Sequence, residues 1–226
     1  MALVFYHGHG SPYSWRVWLA LEQLRVPYEL KVLSFSAGDT RKPEFVALNP
    51  RHTVPTIVDG GYALWESEAI LGYLDERFAA GAPMLYPGDA RSRARIRRLS
   101  REAQEYLNIP GVDRIVDEYF WKGDAPPDAA KLAEARECVA RELEYFAKEL
   151  RGDYLAGNAP TAADLVLYPM VAYVKRITAR KPESKLTELV PEALAKWAAR
   201  IEALPYFEKT FPAHWRGEER PSPRPS

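Results

Sequence analysis

The chain has 226 residues, 47% of them hydrophobic, with 31 basic and 31 acidic side chains and a formal net charge of zero. That composition supports a sizeable core and lies outside the disordered range, and the balanced charge argues against a nucleic-acid binder, which carries a basic excess. One cysteine, Cys138, excludes an intramolecular disulfide and a dithiol–disulfide cycle within one chain. The first residues, MALVFYHGHG, lack the basic-then-apolar order of a secretory signal. No stretch approaches the ~18–20 uncharged apolar residues of a membrane span. A soluble, cytoplasmic protein without nucleic-acid or membrane partners is expected.

Residues 1–80 alternate strand and helix signals. LVFYH (3–7) is apolar, rich in strand formers and ends at glycines, which predicts a first strand. From Ser14, the residues Val17, Leu21 and Leu24 recur at helical spacing, and Pro27 ends that helix. YELKVL (28–33) alternates as a strand, and KPEFVALN (42–49) reads as a short helix stopped by Pro50. TIVDGGYALW (56–65) is a hairpin about Asp59-Gly60-Gly61, and SEAILGYLDERF (67–78) puts Leu71, Leu74 and Phe78 on one helical face.

AAGAPMLYPGDA (79–90) is rich in Pro and Gly, which places a linker at 81–88. Beyond it only helices are expected. The first covers 89–108, with a bend or break at Pro110-Gly111 before 112–122. In 128–150, Leu132, Val139, Leu143, Phe146 and Leu150 form one apolar stripe. ADLVLYPMVAYV (163–174) is apolar nearly all round, so it should be the central buried helix, kinked at Pro169. Residues 191–203 and about 205–213 should finish the bundle, and 216–226 reads as a disordered tail. The order predicts an α/β domain followed by an all-α domain over 89–215.

Three short stretches carry chemistry. Ser11 stands where the first strand ends and the first helix is about to start, beside free N–H groups and a positive dipole end. Its hydroxyl either caps that helix, worth about 1 kcal/mol, or donates to a sulfur or oxygen anion. A serine nucleophile is disfavoured, because no local signature places a histidine and an acid beside it. Val54-Pro55 precedes a strand, although proline lacks the N–H a ladder needs. It is either a trans proline opening an edge strand or a cis peptide whose Val54 N–H and C=O face an extended ligand backbone. Glu66-Ser67 lies at a second strand-to-helix junction. Either Ser67 caps its helix beside a solvated glutamate, or it holds a carboxylate while Glu66 accepts from an ammonium, the two ends of an α-amino acid.

In order and spacing, Ser11, Val54-Pro55 and Glu66-Ser67, within βαβ–αββα and ahead of a linker and an all-α domain, resemble the cytosolic glutathione transferases over about residues 3–213. SPYSWRVWLALEQLRVPYE is similar to the first helix of the serine-type classes, especially the tau, theta and zeta groups. NPRHTVPTIVDGGYALWESEAILGYLDERF is similar to their glutathione-binding stretch. YLAGNAPTAADLVLYPMV resembles the segment in which Thr161 would cap the buried helix and Asp164 reciprocate. The resemblance implies a thioredoxin-like N-terminal domain in which the Cys-Pro-Tyr-Cys frame of glutaredoxin-like proteins reads Ser11-Pro12-Tyr13-Ser14. The reactive sulfur then belongs to the ligand.

By that resemblance, Ser11 donates a hydrogen bond to the thiol of glutathione and favours its thiolate. Val54 pairs with the cysteinyl backbone beside a cis Pro55, and Glu66 and Ser67 hold the γ-glutamyl end. Related classes often place Lys or Gln two residues before the proline, where this chain has Thr53; His52, Thr53 and Lys42, with Arg41, are therefore the candidates for the glycine end. Ser14 supports the helix start. Tyr13 is the first candidate for the electrophile pocket, with Tyr106, Tyr119, Phe120 and Trp215 beside it. The implied protein is a homodimeric detoxification enzyme using glutathione as co-substrate, a small hydrophobic electrophile and no metal. The alternatives are a glutathione-dependent isomerase, peroxidase or dehalogenase, or a non-catalytic binding module; Pro12 and Tyr13 break the zeta-type isomerase motif.

Other features take plainer readings. His7 and His9 share a strand face, and two ligands do not make a metal site. The arginines at 91, 93, 95, 97, 98 and 101 spread around one long helix, as on a solvated or dimer-flanking face. Cys138 borders an apolar stripe and reads as packing.

Overall fold

Alternating buried and half-exposed side chains along LVFYHG form β1 (Leu3–Gly8), the strand on which the first unit is organised. α1 (Pro12–Gln23) follows, with proline in its first turn, where a missing N–H is harmless. It leads to β2 (Tyr28–Leu33), which pairs with β1 in parallel from Leu3↔Tyr28 to Gly8↔Leu33. A short α2 (Pro43–Val46) precedes β3 (Thr56–Asp59), β4 (Tyr62–Trp65) and α3 (Ser67–Phe78). β3 runs antiparallel to β1, and β4 antiparallel to β3, giving the order β2-β1-β3-β4. Phe5 and Ile57 from the sheet, Val17 and Leu21 from α1, and Ile70, Leu71 and Leu74 from α3 have no exposed surface. Tyr6 points to the opposite face and meets Phe45 of α2 at 5.5 Å between ring centroids.

The computed structural model describes residues 3–80 and 84–216. It divides into two units, Met1–Tyr86 with Pro205–Ser226, and Pro87–Leu204. Part of the expected linker (81–83) and the expected tail beyond residue 216 lie outside the described residues. Residues 205–213, expected in the helical bundle, instead belong to the first unit. There α9 (Phe207–Thr210) and the turn Ala213–Arg216 lie against α1. The reason is Trp15, whose indole N–H donates to Thr210 Oγ1 at 3.1 Å and whose ring meets Phe207, Phe211 and Trp215.

The second unit is helical throughout. α4 (Ala90–Glu102) is capped by Asp89, which accepts from Ser92 N–H at 2.9 Å. Of the bend or break expected at Pro110-Gly111, the break does not occur. The helix widens into a π-helix over Ala103–Asp113, continues through α5 (Arg114–Val116) and widens again over Asp117–Trp121. The wider turn accommodates the ring of Pro110, which has no N–H to give, and the Tyr106 carbonyl accepts from Cys138 Sγ at 3.1 Å. Gly111 lets α6 (Ala129–Glu149) approach, since a Cβ there would stand 2.9 Å from Val139 Cγ2. α7 (Ala162–Arg180) runs uninterrupted through Pro169 and is the buried helix of the unit, followed by α8 (Glu192–Glu202).

The capping box at the start of α7 is present as expected. Asp164, wholly buried, accepts from Thr161 N–H and Oγ1–H at 2.8 Å each. It also accepts from Leu155 N–H and Trp197 Nε1–H at 2.9 Å each, which ties α7 to α8 and to the preceding loop.

Candidate active site

Gly8, Ser11 and Val54 meet at the end of β1. The Gly8 carbonyl accepts from Ser11 N–H at 3.1 Å, which turns the chain from strand into helix. A Cβ on Gly8 would stand 2.8 Å from Val54 Cγ2 and 2.5 Å from Phe35 Cζ, so only glycine lets the Val54 loop come this close. Ser11 is the N-cap of α1, and its Oγ accepts from Ser14 N–H at 3.2 Å. The capping role is therefore real, yet it uses one lone pair and leaves the hydroxyl proton available to a ligand anion. Ser14 is fully buried beneath it, within the helix start, and its Oγ has no partner among the described residues.

The loop before β3 is held by Asn49, a residue with no exposed surface. Its Nδ2 donates to the Thr53 carbonyl at 2.9 Å and to Thr56 Oγ1 at 3.0 Å, with Thr53 Oγ1 at 3.2 Å. Its Oδ1 accepts from Arg51 N–H at 2.9 Å. The Val54–Pro55 peptide is cis, and β3 begins only at Thr56. Among the described residues, the Val54 backbone takes no hydrogen bond. His52 and Thr53 are exposed, and His52 Nδ1 lies 3.3 Å from the Thr40 carbonyl. Lys42 is engaged by Asp39 at 2.7 Å, a contact that raises the lysine and lowers the carboxyl from their ordinary ranges. Its side chain lines an open cavity of about 410 Å³ with Tyr6, Lys31, Leu33 and Phe45.

At the third stretch, Glu66 occupies the N-cap of α3 with φ +68° and ψ 109°, in the left-handed half of conformational space that a side chain rarely enters. Its side chain is exposed and makes no capping bond. Ser67, the first residue of α3, is buried, and its Oγ accepts from Arg16 Nη1 at 3.4 Å. The Arg16 guanidinium also lies over the Tyr13 ring, 4.9 Å from its centroid. α1 thus joins the stretches: Ser11 at its start reaches Val54 through Gly8, and Arg16 one turn on reaches Ser67.

Gly8, Asn49 and Arg16 escaped the sequence reading. Gly8 is visible in the sequence only as part of a glycine-rich strand end, and Asn49 as the last residue of the short helix expected over 42–49. Their roles depend on partners distant in the chain.

The aromatic candidates separate. Tyr13 stays beside Ser11 and Ser67 through Arg16. Tyr106 is exposed on the π-helix together with Ile109. Tyr119 packs on Phe120 at 6.2 Å and carries Lys181 Nζ 5.8 Å from its ring centroid. Trp215 stacks edge-on against Trp15 and Phe211, which makes it a packing residue of the first unit. Burial pushes the Cys138 thiol up, in keeping with packing rather than reactivity. Among the described residues, no group of three or more His, Cys, Asp or Glu could hold a metal ion, and no helix is long and apolar enough to cross a membrane.

The glutathione S-transferase N-terminal domain family matches residues 10–77, and the glutathione S-transferase C-terminal domain family matches residues 114–205. The chain belongs to the glutathione S-transferase family. Glutathione S-transferase D7 of Drosophila melanogaster is 28% identical over 219 residues, covering 92% of each protein. A glutathione S-transferase from the Antarctic clam Laternula elliptica superposes with a TM-score of 0.78 at 28% identity, covering 98% of this chain and 96% of that one. A delta-class glutathione transferase from Nilaparvata lugens superposes with a TM-score of 0.76 at 25% identity, covering 95% of each chain. The first unit is the thioredoxin-like domain of that fold, the second its helical domain, and the protein is a transferase with glutathione as co-substrate.

Proposed function

We propose that this glutathione transferase is of serine type, with Ser11 donating a hydrogen bond to the sulfur of glutathione. The observation that carries the reading is the Ser11 hydroxyl at the N-cap of α1, accepting from Ser14 N–H and keeping its own proton to give. A free thiol has a pKa of ~8.5, so one hydrogen bond and a helix dipole need supply only a few kcal/mol to favour the thiolate near neutrality. The proton leaves to solvent, the thiolate attacks the electrophile, a carbon–sulfur bond forms and the displaced group departs with its electron pair.

The rest of the tripeptide follows from the same helix. The unengaged Val54 backbone suits the cysteinyl backbone, Ser67 the γ-glutamyl carboxylate and the exposed Glu66 the adjacent ammonium. His52 and Thr53 take the glycine end; Lys42, already paired with Asp39, is a weaker candidate there. Tyr13, beside Ser11 in the first turn of α1, is assigned to a hydrophobic second substrate. The tau, theta and zeta likeness rests on the first helix alone, and a relative named above is of delta class, so serine type is proposed with no finer class. A homodimer in the cytoplasm completes the proposal; light scattering at working concentration tests the dimer.

The deciding experiment titrates the thiolate absorbance of bound glutathione in wild type and Ser11→Ala. A bound thiol well below the free value in wild type, returned toward it in the variant, is expected. An unshifted thiol in both proteins would overturn the reading in favour of a module that holds glutathione without activating it.

A further inference from the structure

Arg16 is a charged residue that is only 1% exposed. A cation is kept in such a place when its donors are engaged and its charge is balanced. Arg16 Nη1 donates to Ser67 Oγ at 3.4 Å, and the guanidinium carbon lies 4.9 Å from the Tyr13 ring centroid. One buried side chain of α1 therefore touches the first turn of its own helix and the first residue of α3. Those are the two helix starts that the proposed glutathione site uses.

We infer that Arg16 is a positioning residue for recognition of the γ-glutamyl carboxylate, an inference that rests on the transferase reading above. A serine hydroxyl has two lone pairs and one proton. With a guanidinium N–H directed at one lone pair, the Ser67 proton turns away from Arg16 and toward a carboxylate docked at the start of α3. The charge matters as well. Ser67 is flanked in sequence by Glu66 and Glu68, and the Glu66 side chain makes no capping bond. Two carboxylates beside the docking point repel a third unless a cation stands close by. Arg16 is that cation, buried behind Ser67 rather than in contact with the ligand, and the dipole of α3 adds to it. Lysine cannot replace it fully, because an ammonium lacks the planar fork that reaches Ser67 while lying over Tyr13.

The test compares two ligands in calorimetric titrations: glutathione, and an analogue whose γ-glutamyl group is replaced by 4-aminobutyryl, which lacks only the α-carboxylate. Wild type should prefer glutathione. Arg16→Met should weaken glutathione about tenfold while leaving the analogue's affinity unchanged, and Arg16→Lys should restore part of the preference. Equal loss on both ligands means a merely structural arginine and overturns the inference. Should Arg16→Met fail to fold, Arg16→Lys and Ser67→Ala carry the test: Arg16→Lys should cost nothing further in glutathione affinity once Ser67 is alanine, and additive losses refute coupling through Ser67. Wild type that binds glutathione and the analogue equally overturns the inference alone. Wild type that binds neither overturns the transferase reading.

Discussion

Replacing Asn49 by alanine removes the hub of the loop that carries Val54. The change deletes donors to the Thr53 carbonyl at 2.9 Å and Thr56 Oγ1 at 3.0 Å, and the acceptor of Arg51 N–H at 2.9 Å. At roughly 1 kcal/mol net for each of these contacts, the cost is about 3 kcal/mol. Arg51 is exposed, so its freed N–H returns to water, and the buried Thr56 hydroxyl keeps its bond to the Thr53 carbonyl at 3.1 Å, so the cost stays below that of fully orphaned buried groups. For a chain of this size, about 3 kcal/mol lowers the melting temperature by roughly 6–12 °C. Glutathione affinity should fall in parallel, because the Val54 backbone loses its fixed place beside Gly8. Differential scanning calorimetry with and without glutathione measures both effects. Asn49→Ala that melts within about 1 °C of wild type and binds glutathione equally would refute the assignment of Asn49 as the hub.

Two further outcomes are expected. Glu66→Gly relieves a left-handed backbone at φ +68°, so the variant should gain about 1 kcal/mol in stability while binding glutathione less tightly; a loss of stability would show that the conformation carries no strain. Glu118 is held below the usual carboxylate range by Lys122 first and then by the Asp128 N–H. Its folded pKa is thus the lower one, and its stabilisation is present above the unfolded value of about 4.3 and lost as pH falls through the folded value. Glu118→Gln should therefore lower the melting temperature at about pH 7 and not at about pH 3; an equal gap at both would contradict the ion pairing.

What could be read from the sequence was local. The strand YELKVL, the hairpin about Asp59-Gly60-Gly61 and the helix opening at Ser67 stand where alternation, turn residues and periodicity put them. The capping box was legible because Thr161 and Asp164 are three residues apart, but the Asp164 bonds to Leu155 and Trp197 were not, since they depend on how helices pack. Pro110 illustrates the same limit. Proline chemistry alone predicts a bend or break, and the contacts of this stretch with Cys138 and Val139 exist only once α6 is alongside. In the candidate site, the helix starts at Ser11 and Ser67 and the proline ahead of β3 were readable from their junctions. Gly8, Asn49 and Arg16, which bring those junctions together, act across sequence separations that no motif spans.

The return of residues 205–216 to α1 sets an order of assembly. During synthesis β1, α1 and the hairpin emerge first, yet the Trp15 ring acquires Phe207, Phe211 and Trp215, and its N–H acquires Thr210, only after the whole helical unit has been made. Tyr206 and Lys209 add bonds to Gln23 and Glu22 at the same late moment. The helix that begins at Ser11 therefore reaches its final packing last, although it is among the first segments translated. Glutathione binding on a nascent chain should lag behind the folding of the helical unit.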